Sequence, residues 1–536
     1  GLFELKLPDV GPGARYKFAL DGDAYPDPYA RFMPEGVHGP SMVVDQAFAW
    51  RHEPVGMPIE QMAVYELHIG TFTPEGTFEA AQARLGHLKA LGVTAIELMP
   101  IAAFPGTRGW GYDGVAAFAP YAPYGRPEDV KAFVDAAHGH GLAVILDVVY
   151  NHFGPDGNYL YAYSPRYFTR RHMTPWGDAI DYTNPYMRRL ILDSAMMWLK
   201  AYRFDGLRLD ATHHIVDESR THVLEALVAA TRELQPHRVL IAEDDRNEPA
   251  LVTAFGLDGL WADDFHHQLR VLLTGERDGY YAAYRPDPAE LARVIRRGWL
   301  YEGQAWPLSG RPRGASAERL APSSLIYTIQ NHDQIGNRAL GDRLSARVGT
   351  EAYLSATALM LFLPTTPLLF QGQEWGAKTP FCYFSDHHGE LGRAVSEGRA
   401  REFSHFEAFR SGQETIPDPQ AERTFLDSKL DWDEACFGDH ARVLEAYKQL
   451  LKLRREDAVL SVSGREGLDA GVAGDVLWVR RAHAGQVRYI LVNFGTDLDL
   501  SALPLRLEGF KPLYATGRAE GQLARHGAVI LEGVAQ

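Results

Sequence analysis

The sequence predicts an α/β protein built on a (β/α)8 TIM barrel with inserted loops. Two observations predict this fold. Short apolar, β-favouring runs recur along the middle of the chain, and helical segments separate most of them. Repeated β-then-α units imply a parallel sheet, and eight such units indicate a closed barrel. The eight predicted strands are 64–68, 94–99, 142–149, 206–210, 238–242, 259–262, 325–330 and 367–370.

The helices between the strands follow from apolar spacing and from the position of proline. In segment 78–91, Leu85, Leu88 and Leu91 recur at helical spacing. Pro127 occupies a natural first-turn position for a helix that runs to residue 140. The remaining predicted helices are 186–202, 219–234, 288–298 and 441–455, of which the last is expected to close the barrel.

The predicted barrel domain, 56–457, is longer than the ~250 residues typical of this fold, so long inserted loops are required. We predict one insertion at about 153–183, which is aromatic and irregular, and a second at about 263–324. The second insertion contains one of the predicted helices.

Two smaller β-regions are predicted to flank the barrel. Residues 1–55 are rich in Gly, Pro and Asp and contain short alternating strands such as 16–20. We interpret them as the remnant of an N-terminal β-sandwich whose earlier strands are absent, because Gly1 already lies within a strand-like run. Residues 458–536 are predicted to form a C-terminal antiparallel β-sandwich domain. Its predicted strands are 475–480, 487–492 and 528–531.

Composition is that of an ordinary globular protein of two or three domains. The 536 residues are 46% apolar and 23% charged. The net charge of −15 argues against nucleic-acid and anionic-membrane partners, which favour a basic face. Cys382 and Cys436 lie far apart in sequence and are interpreted as reduced thiols of a cytoplasmic protein. The longest apolar run, 359–370, is broken by prolines and too short to span a membrane.

Charged side chains stand at the ends of the predicted strands, where barrels of this kind carry their functional groups. Arg208 and Asp210 point to the same face of a strand, and an arginine beside an aspartate keeps the carboxylate ionised. The alternative is a structural ion pair at a strand end. Glu243 follows an apolar run, which predicts a raised pKa. One ionised and one protonated carboxylate is the pairing used in glycoside hydrolysis, with Asp333 as a third carboxylate that stabilises positive charge.

Five aromatic residues lie near these strand ends: Trp110, Tyr112, Tyr150, Tyr280 and Tyr281. They are expected to stack on sugar rings, but for Tyr150 core packing is the favoured role. No cofactor or metal is expected. The adjacent histidine pairs at 213–214, 266–267 and 387–388 have diverging side chains, and the spacings typical of helical metal sites and of nucleotide-binding loops are missing.

Four stretches resemble, in order, the four motif regions of the α-amylase-type glycoside hydrolases, family 13. They are Asp147–His152, Gly206–Asp210, Ile241–Glu243 and Asn331–Asp333. The resemblance implies that Asp210 is the nucleophile, Glu243 the general acid/base and Asp333 the residue that stabilises the transition state. It also implies that the family's calcium is absent, because Asn151 is kept but the loop that carries the other ligands is short.

Other stretches resemble the trehalose-releasing members of this family. They are Trp261–His267, Leu273–Glu276, Gly279–Tyr281 and Thr379–His387. The resemblance implies a retaining hydrolase that cleaves the α-1,4 bond next to the terminal α,α-trehalose of maltooligosyltrehalose, an α-glucan oligosaccharide. The products would be trehalose and a maltooligosaccharide, and a maltooligosyltrehalose synthase is implied as the functional partner.

We predict the substrate-binding residues from the same resemblance and from position. They are His68, Trp110, Tyr112, His152, Arg208, His213, Asp263, Asp264, His266, Tyr281 and His332. The loop after the sixth strand, with Asp263, Asp264, His266 and Tyr281, is expected to help build the +1 and +2 subsites that hold trehalose.

Three other functions are weighed against this one. The first is a branching or debranching (isoamylase-like) enzyme of the same family. This alternative is suggested by the segment Tyr25–Ala30, which resembles the end of the N-terminal domain in those enzymes. The second is a catalytically silent α-glucan-binding relative, in which loss of a catalytic carboxylate would be expected. The third is a metal-dependent hydrolase on the same barrel, for which a ligand set is missing.

Overall fold

A computed structural model describes residues 4–403, 415–517 and 521–534. Its centre is a closed barrel of eight parallel strands in consecutive order, which confirms the predicted fold. The strands are β1 Val64–Leu67, β2 Ala95–Leu98, β3 Ala143–Val148, β4 Gly206–Leu209, β5 Val239–Ala242, β6 Gly259–Trp261, β7 Leu325–Thr328 and β8 Thr366–Phe370. Every residue of these strands is buried, as expected for parallel strands that are covered on both faces.

Helices surround the barrel and contribute most of the outer layer. They are α1 Phe78–Gln82, α2 Leu85–Leu91, α3 Pro127–Gly139, α4 Pro185–Lys200, α5 Val223–Thr231, α6 Asp264–Thr274, α7 Pro288–Arg297, α8 Thr350–Phe362 and α9 Gly438–Glu456. The single helix predicted at 78–91 is wrong, because it divides into α1 and α2. Leu85, Leu88 and Leu91 are nevertheless buried, as their spacing predicts. Shorter helices and one longer helix lie in the loops: Ile69–Phe72, Leu160–Tyr163, Ala250–Thr253, His332–Gly336, Leu344–Arg347, Gly389–Phe403 and Glu422–Leu426.

The loop that follows β3 is more regular than predicted. Phe168–Thr174 pairs with Gly177–Ile180 as an antiparallel hairpin, within a segment expected to be irregular. The first strand of the hairpin has only exposed and half-buried residues, so its sequence lacks the apolar run that would have marked it as strand. A second antiparallel pair, Ala102–Ala103 with Ala116–Pro120, lies in the loop after β2.

A five-stranded antiparallel sheet forms the C-terminal part of the described chain. Its strands are β9 Asp469–Ala473, β10 Val476–His483, β11 Gln486–Asn493, β12 Lys511–Ala515 and β13 Ala528–Val534, in the order β9-β10-β11-β13-β12. The sequence predicted three of these strands and missed β9 and β12. A two-stranded pair, Leu498–Asp499 with Gln522–Leu523, lies beside the sheet.

At the N-terminus, the described residues form two small antiparallel pairs. Arg15–Tyr16 pairs with Ser41–Met42, and Phe18–Leu20 pairs with Asp23–Tyr25. The predicted strand 16–20 is therefore two strands, and Gly1 lies outside the described residues. The origin of this region as a β-sandwich remnant stays a prediction.

Two arginines, one on α9 and one on the C-terminal sheet, bind main-chain oxygens at the end of α8. Arg454, on α9, donates to the main-chain oxygens of Leu361, Leu363 and Thr365. Arg481, on β10, donates to the oxygen of Phe362 at 2.7 Å. The last carbonyl groups of a helix have no hydrogen-bond donors within the helix. The two arginine side chains supply donors to these groups.

Across the described ranges, no helix combines the length and the apolar character that a bilayer crossing requires. The predicted apolar run 359–370 divides between the end of α8 and β8.

Candidate active site

The guanidinium of Arg208 lies among three carboxylates at the mouth of the barrel. Its Nη1 is 2.8 Å from Asp147 Oδ2 and 2.9 Å from Asp210 Oδ1, and its Nη2 is 2.9 Å from Glu243 Oε2. Strand register explains the arrangement, because Arg208 on β4 stands opposite Asp147 on β3 and Ile241 on β5. Arg208 is fully buried, so this cation acts on the carboxylates with little screening by water.

Asp210 follows directly after β4, and both of its carboxylate oxygens have donors. Arg208 Nη1 donates to Oδ1 at 2.9 Å, and Asn151 Nδ2 donates to Oδ2 at 2.6 Å. Hydrogen bonds to an ionised carboxylate stabilise its charge. The two donors therefore hold this carboxylate in one orientation, as a nucleophile requires.

Glu243, one residue beyond β5, has the opposite character. Burial raises its pKa, the cation Arg208 opposes the rise, and the neighbouring Asp210 adds to it. The main-chain N–H of Ala211 donates to Oε2 at 2.9 Å. Ala211 itself has a φ of 38°, a conformation that costs a residue with a Cβ energy and that tends to occur at functional sites. A carboxyl group that retains its proton can act as a general acid.

The third carboxylate, Asp333, belongs to the short helix that follows β7. Its side chain is 34% exposed, and its Oδ1 lies 3.5 Å from His332 Nε2. Asn337 Nδ2 donates to the same oxygen at 3.3 Å. Burial raises the pKa of Asp333, and the adjacent His332 opposes the rise. The three predicted catalytic carboxylates thus follow β4, β5 and β7 at the same end of the barrel.

His152 is held between the barrel and the hairpin that follows β3. Its ring stacks on Trp176 with centroids 3.9 Å apart and planes at 3°. Its Nδ1 contacts Asn151 Oδ1, and the same amide donates to Asp210. Burial lowers the pKa of His152 to about 4, so the ring is neutral at ordinary pH. Its Nε2 is buried and makes no hydrogen bond within the described residues.

Several predicted substrate contacts lie in the wall of the site instead. His68 Nε2 is 2.9 Å from the oxygen of Gly109, and burial lowers its pKa to about 3. Trp110 Nε1 donates to the oxygen of Cys382 at 3.0 Å. Tyr150 is buried with its hydroxyl 3.1 Å from Ser194 Oγ, as expected for a packing residue. The polar atoms of His68 and Trp110 are engaged within the protein, and contact of these two residues with the substrate stays a prediction.

Three predicted residues of the loop after β6 also make their hydrogen bonds within the protein, and their contact with the substrate stays a prediction. His266 Nδ1 is 2.8 Å from the oxygen of Ile329, and His266 Nε2 is 3.2 Å from Tyr281 Oη. Asp264 accepts the main-chain N–H of Leu300 at 2.7 Å and the hydroxyl of Tyr284 at 2.5 Å. All three side chains are buried, so they support the wall from behind rather than face an opening.

Asp263, by contrast, lines a cleft of about 770 Å³ that reaches Asp333 at one end. Burial raises the pKa of Asp263 to about 7, and the nearby Glu243 adds to the rise. Most of the other lining residues were missed by the sequence prediction. They include His267, Trp306, Arg311, Arg313, Gln334 and Asn337. Trp306 and the two arginines of segment 301–314 are the only sequence signal that could have marked them.

His213 lies beside this cleft. Its Nδ1 is 3.7 Å from Asp245 Oδ1. In the part of the chain that the structure describes, His213, Asp244 and Asp245 form one group whose donor atoms lie within 4.8 Å of each other. Both Asp244 oxygens already accept hydrogen bonds from Arg246, at 2.8 and 2.6 Å, so the group is engaged in an ion pair.

The barrel and the carboxylate set define the class of protein, an α-amylase-type glycoside hydrolase. The family model for the alpha amylase catalytic domain matches residues 25–166. A malto-oligosyltrehalose trehalohydrolase from Deinococcus radiodurans is 55% identical over 99% of this chain and 89% of its own length. One from Saccharolobus solfataricus is 42% identical over 85% of this chain and 80% of its own length. The chain belongs to the malto-oligosyltrehalose trehalohydrolases.

The fold is also that of a solved relative. A candidate alpha amylase from Salmonella typhimurium, solved by crystallography at 1.4 Å, superposes with a TM-score of 0.90. It is 41% identical, and the match covers 98% of this chain and 91% of that one.

Proposed function

We propose that this chain hydrolyses the α-1,4 bond next to the terminal trehalose of maltooligosyltrehalose and releases free trehalose. One observation carries the proposal. Arg208 contacts both Asp210 and Glu243, and an open cleft begins on the loop that Glu243 starts. Since a general acid acts on the leaving group, the cleft on its side is where the released trehalose would lie.

The first step forms a glycosyl-enzyme. Asp210 attacks C1 of the glucose in the −1 subsite, while Glu243 gives its proton to the oxygen of the departing trehalose. The C1–O bond breaks as the Asp210 ester forms, and Asp333 stabilises the positive charge that develops on the ring. Asn151 and Arg208 keep the attacking carboxylate in place during this step.

The second step returns the enzyme to its starting state. Glu243, now ionised, takes a proton from water, and the hydroxide attacks C1 as the bond to Asp210 breaks. The maltooligosaccharide leaves with the α configuration, because two inversions retain the stereochemistry. Proton NMR identifies the anomer that is released first. If that anomer were β, Asp210 could not be the nucleophile.

The cleft has the chemistry that a neutral, non-reducing disaccharide requires. Trp306 and Tyr280 offer rings for stacking, and Gln334 and Asn337 offer amides. Arg313 lies over the Trp306 ring at 4.2 Å, which fixes the orientation of that platform. We infer that this cleft forms the +1 and +2 subsites.

The decisive experiment measures products from maltotriosyltrehalose, maltopentaose and an α-1,6-branched glucan with the same enzyme preparation. We expect free trehalose and maltotriose from the first substrate and little turnover of the other two. Debranching or chain transfer without trehalose release would favour the branching or isoamylase-like alternative. Binding of all three without turnover would favour a silent glucan-binding protein.

Asp263 and Asp264 are neighbours with different expected effects. Asp263→Asn should lower kcat/KM for trehalosyl ends by about 10- to 100-fold, because it lines the cleft. Asp264→Asn should mainly lower the melting temperature, because its carboxylate bonds four groups inside the wall at 2.5–3.2 Å. Both variants are measured for kcat/KM and for melting temperature. Asp264→Asn then controls for loss of activity through lower stability, and Asp263→Asn controls for the loss of a carboxylate without loss of stability. An unchanged preference for trehalosyl over maltosyl ends in Asp263→Asn would contradict its role.

A further inference from the structure

Glu66 is a buried carboxylate that the mechanism above does not use. It lies on β1 inside the barrel and is 1% exposed. Both of its oxygens contact one residue, because Oε2 accepts the main-chain N–H of His332 at 3.0 Å and Oε1 lies 2.5 Å from His332 Nδ1. This contact joins the first strand of the barrel to the loop that carries Asp333.

The other nitrogen of His332 faces the active site. Its Nε2 lies 2.8 Å from the hydroxyl of Tyr112 and 3.5 Å from Asp333 Oδ1. The same Tyr112 hydroxyl lies 2.6 Å from Asp147 Oδ2. A tyrosine has only one hydroxyl proton, so it can be given to Asp147 or to His332 but not to both.

The charges nearby decide between these two arrangements. Arg208 Nη1 donates to both oxygens of Asp147, at 2.9 and 2.8 Å, which favours the ionised carboxylate. An ionised Asp147 must receive the proton of Tyr112. His332 Nε2 must then carry a proton of its own to complete the contact with Tyr112.

Two further titratable groups lie near this pair, Glu97 on the neighbouring strand β2 and His68 at the end of β1. Glu97 on β2 stands opposite Glu66 in register, and neither of its oxygens has a partner among the described residues. Burial raises the pKa of Glu97 well above its ordinary value, and Glu66 raises it further, so Glu97 is neutral. His68 is also neutral, because burial lowers its pKa to about 3. Glu66, both of whose oxygens contact His332, is therefore the carboxylate that acts most directly on this ring.

We propose that Glu66 is a positioning residue that keeps the imidazole of His332 doubly protonated, so that a positive charge faces Asp333 when the −1 sugar binds. Burial opposes this charge, but Asp333 and Glu66 outweigh it and raise the pKa of His332 to about 9. The imidazolium in turn favours the ionised form of Asp333, which stabilises the transition state. This role rests on the proposed function of the same site.

The consequence is an alkaline limit on activity that depends on Glu66. Burial raises the pKa of Asp147 to about 7, with Arg208 opposing the rise. Between pH 7 and 9 the chain of contacts then holds an ionised Asp147 and a charged His332. Above that range His332 loses its proton, and the charge that faces Asp333 disappears.

The test is the pH dependence of kcat/KM for trehalose release, which reports the ionisation of the free enzyme. In Glu66→Gln we expect the alkaline limb to move to lower pH by about 1–3 units, because an opposite charge has been removed. Glu66→Asp keeps the anion and should restore most of the limb. Glu97→Gln replaces a neutral carboxyl group with a neutral amide of the same shape. It should leave the alkaline limb of kcat/KM at its wild-type pH. A folded Glu66→Gln enzyme with the wild-type limb would overturn the proposal.

A second measurement needs neither substrate nor a Glu66 variant. Nitrogen-15 NMR of the histidine side chains in the wild-type enzyme at pH 8 should show both His332 nitrogens protonated, with the signal assigned by its loss in His332→Gln. A neutral ring at pH 8 would overturn the proposal even if Glu66→Gln did not fold. If the wild-type enzyme released no trehalose but His332 were charged, the proposed function would fail while this inference stood.

Discussion

Asp210→Asn lowers kcat for trehalose release by roughly 10⁴- to 10⁶-fold, the range expected when an enzyme loses its nucleophile. Asparagine has the same shape and still fits against Arg208 and Asn151, so the fold is expected to survive. The amide cannot form the ester with C1, and substrate binding should change little. Steady-state kinetics on maltotriosyltrehalose, with circular dichroism to confirm the fold, measures the effect.

A surface aspartate serves as the matched control. Asp439, on α9, has a side chain that is 75% exposed, and Asp439→Asn should retain wild-type kcat. Residual activity of Asp210→Asn within 100-fold of wild type (about 2.7 kcal/mol of barrier) would mean that another group attacks C1. Mass spectrometry of Glu243→Gln, incubated with a substrate that carries an activated leaving group, should detect the sugar on the peptide that contains Asp210.

Arg208→Met should remove activity and also destabilise the fold by about 3–5 kcal/mol, the cost of breaking a buried ion network. The change leaves Asp147, Asp210 and Glu243 without their shared cation. Two of these carboxylates would take up protons to avoid buried charge, and Asp210 would lose the partner that keeps it nucleophilic. Thermal melting and trehalose release, measured on the same samples, test both effects.

Arg208→Lys separates charge from geometry. Lysine supplies a point charge but not the planar fork that reaches two carboxylates at once. We expect its melting temperature to lie between those of wild type and Arg208→Met, with activity close to that of Arg208→Met. Equal melting of Arg208→Met and wild type would show that the three carboxylates do not depend on this cation.

The barrel could be predicted because each of its strands is buried on both faces and reads as a short apolar run. The C-terminal strands β9 and β12 could not, because Asp469–Ala473 contains glycine and Lys511–Ala515 contains proline and only part of an apolar pattern. In these strands, pairing with the adjacent strands of the sheet decides the conformation more than the local sequence does. The exposed hairpin after β3 escaped prediction for the same reason.

The candidate site divides in a similar way. Asp210, Glu243 and Asp333 could be found because strand ends in a barrel converge. His68 and Trp110 have the right residue type near the right strands, but the sequence does not show which way their hydrogen bonds point. Glu66 was missed because it lies within a strand, where an apolar residue is expected.

Trp306 and Arg313 were missed because they lie on a loop. The path of a loop depends on packing that no local pattern encodes. The residues expected to choose trehalose over other leaving groups are therefore the least accessible to reasoning from sequence.

Arg481 joins the C-terminal sheet to the hydrogen bonding of the barrel, because it binds the last carbonyl group of α8. A barrel transplanted without residues beyond α9 would lose Arg481 and expose the carbonyl of Phe362. Domain exchange between this enzyme and related glucan enzymes should therefore transfer the barrel and the C-terminal sheet together.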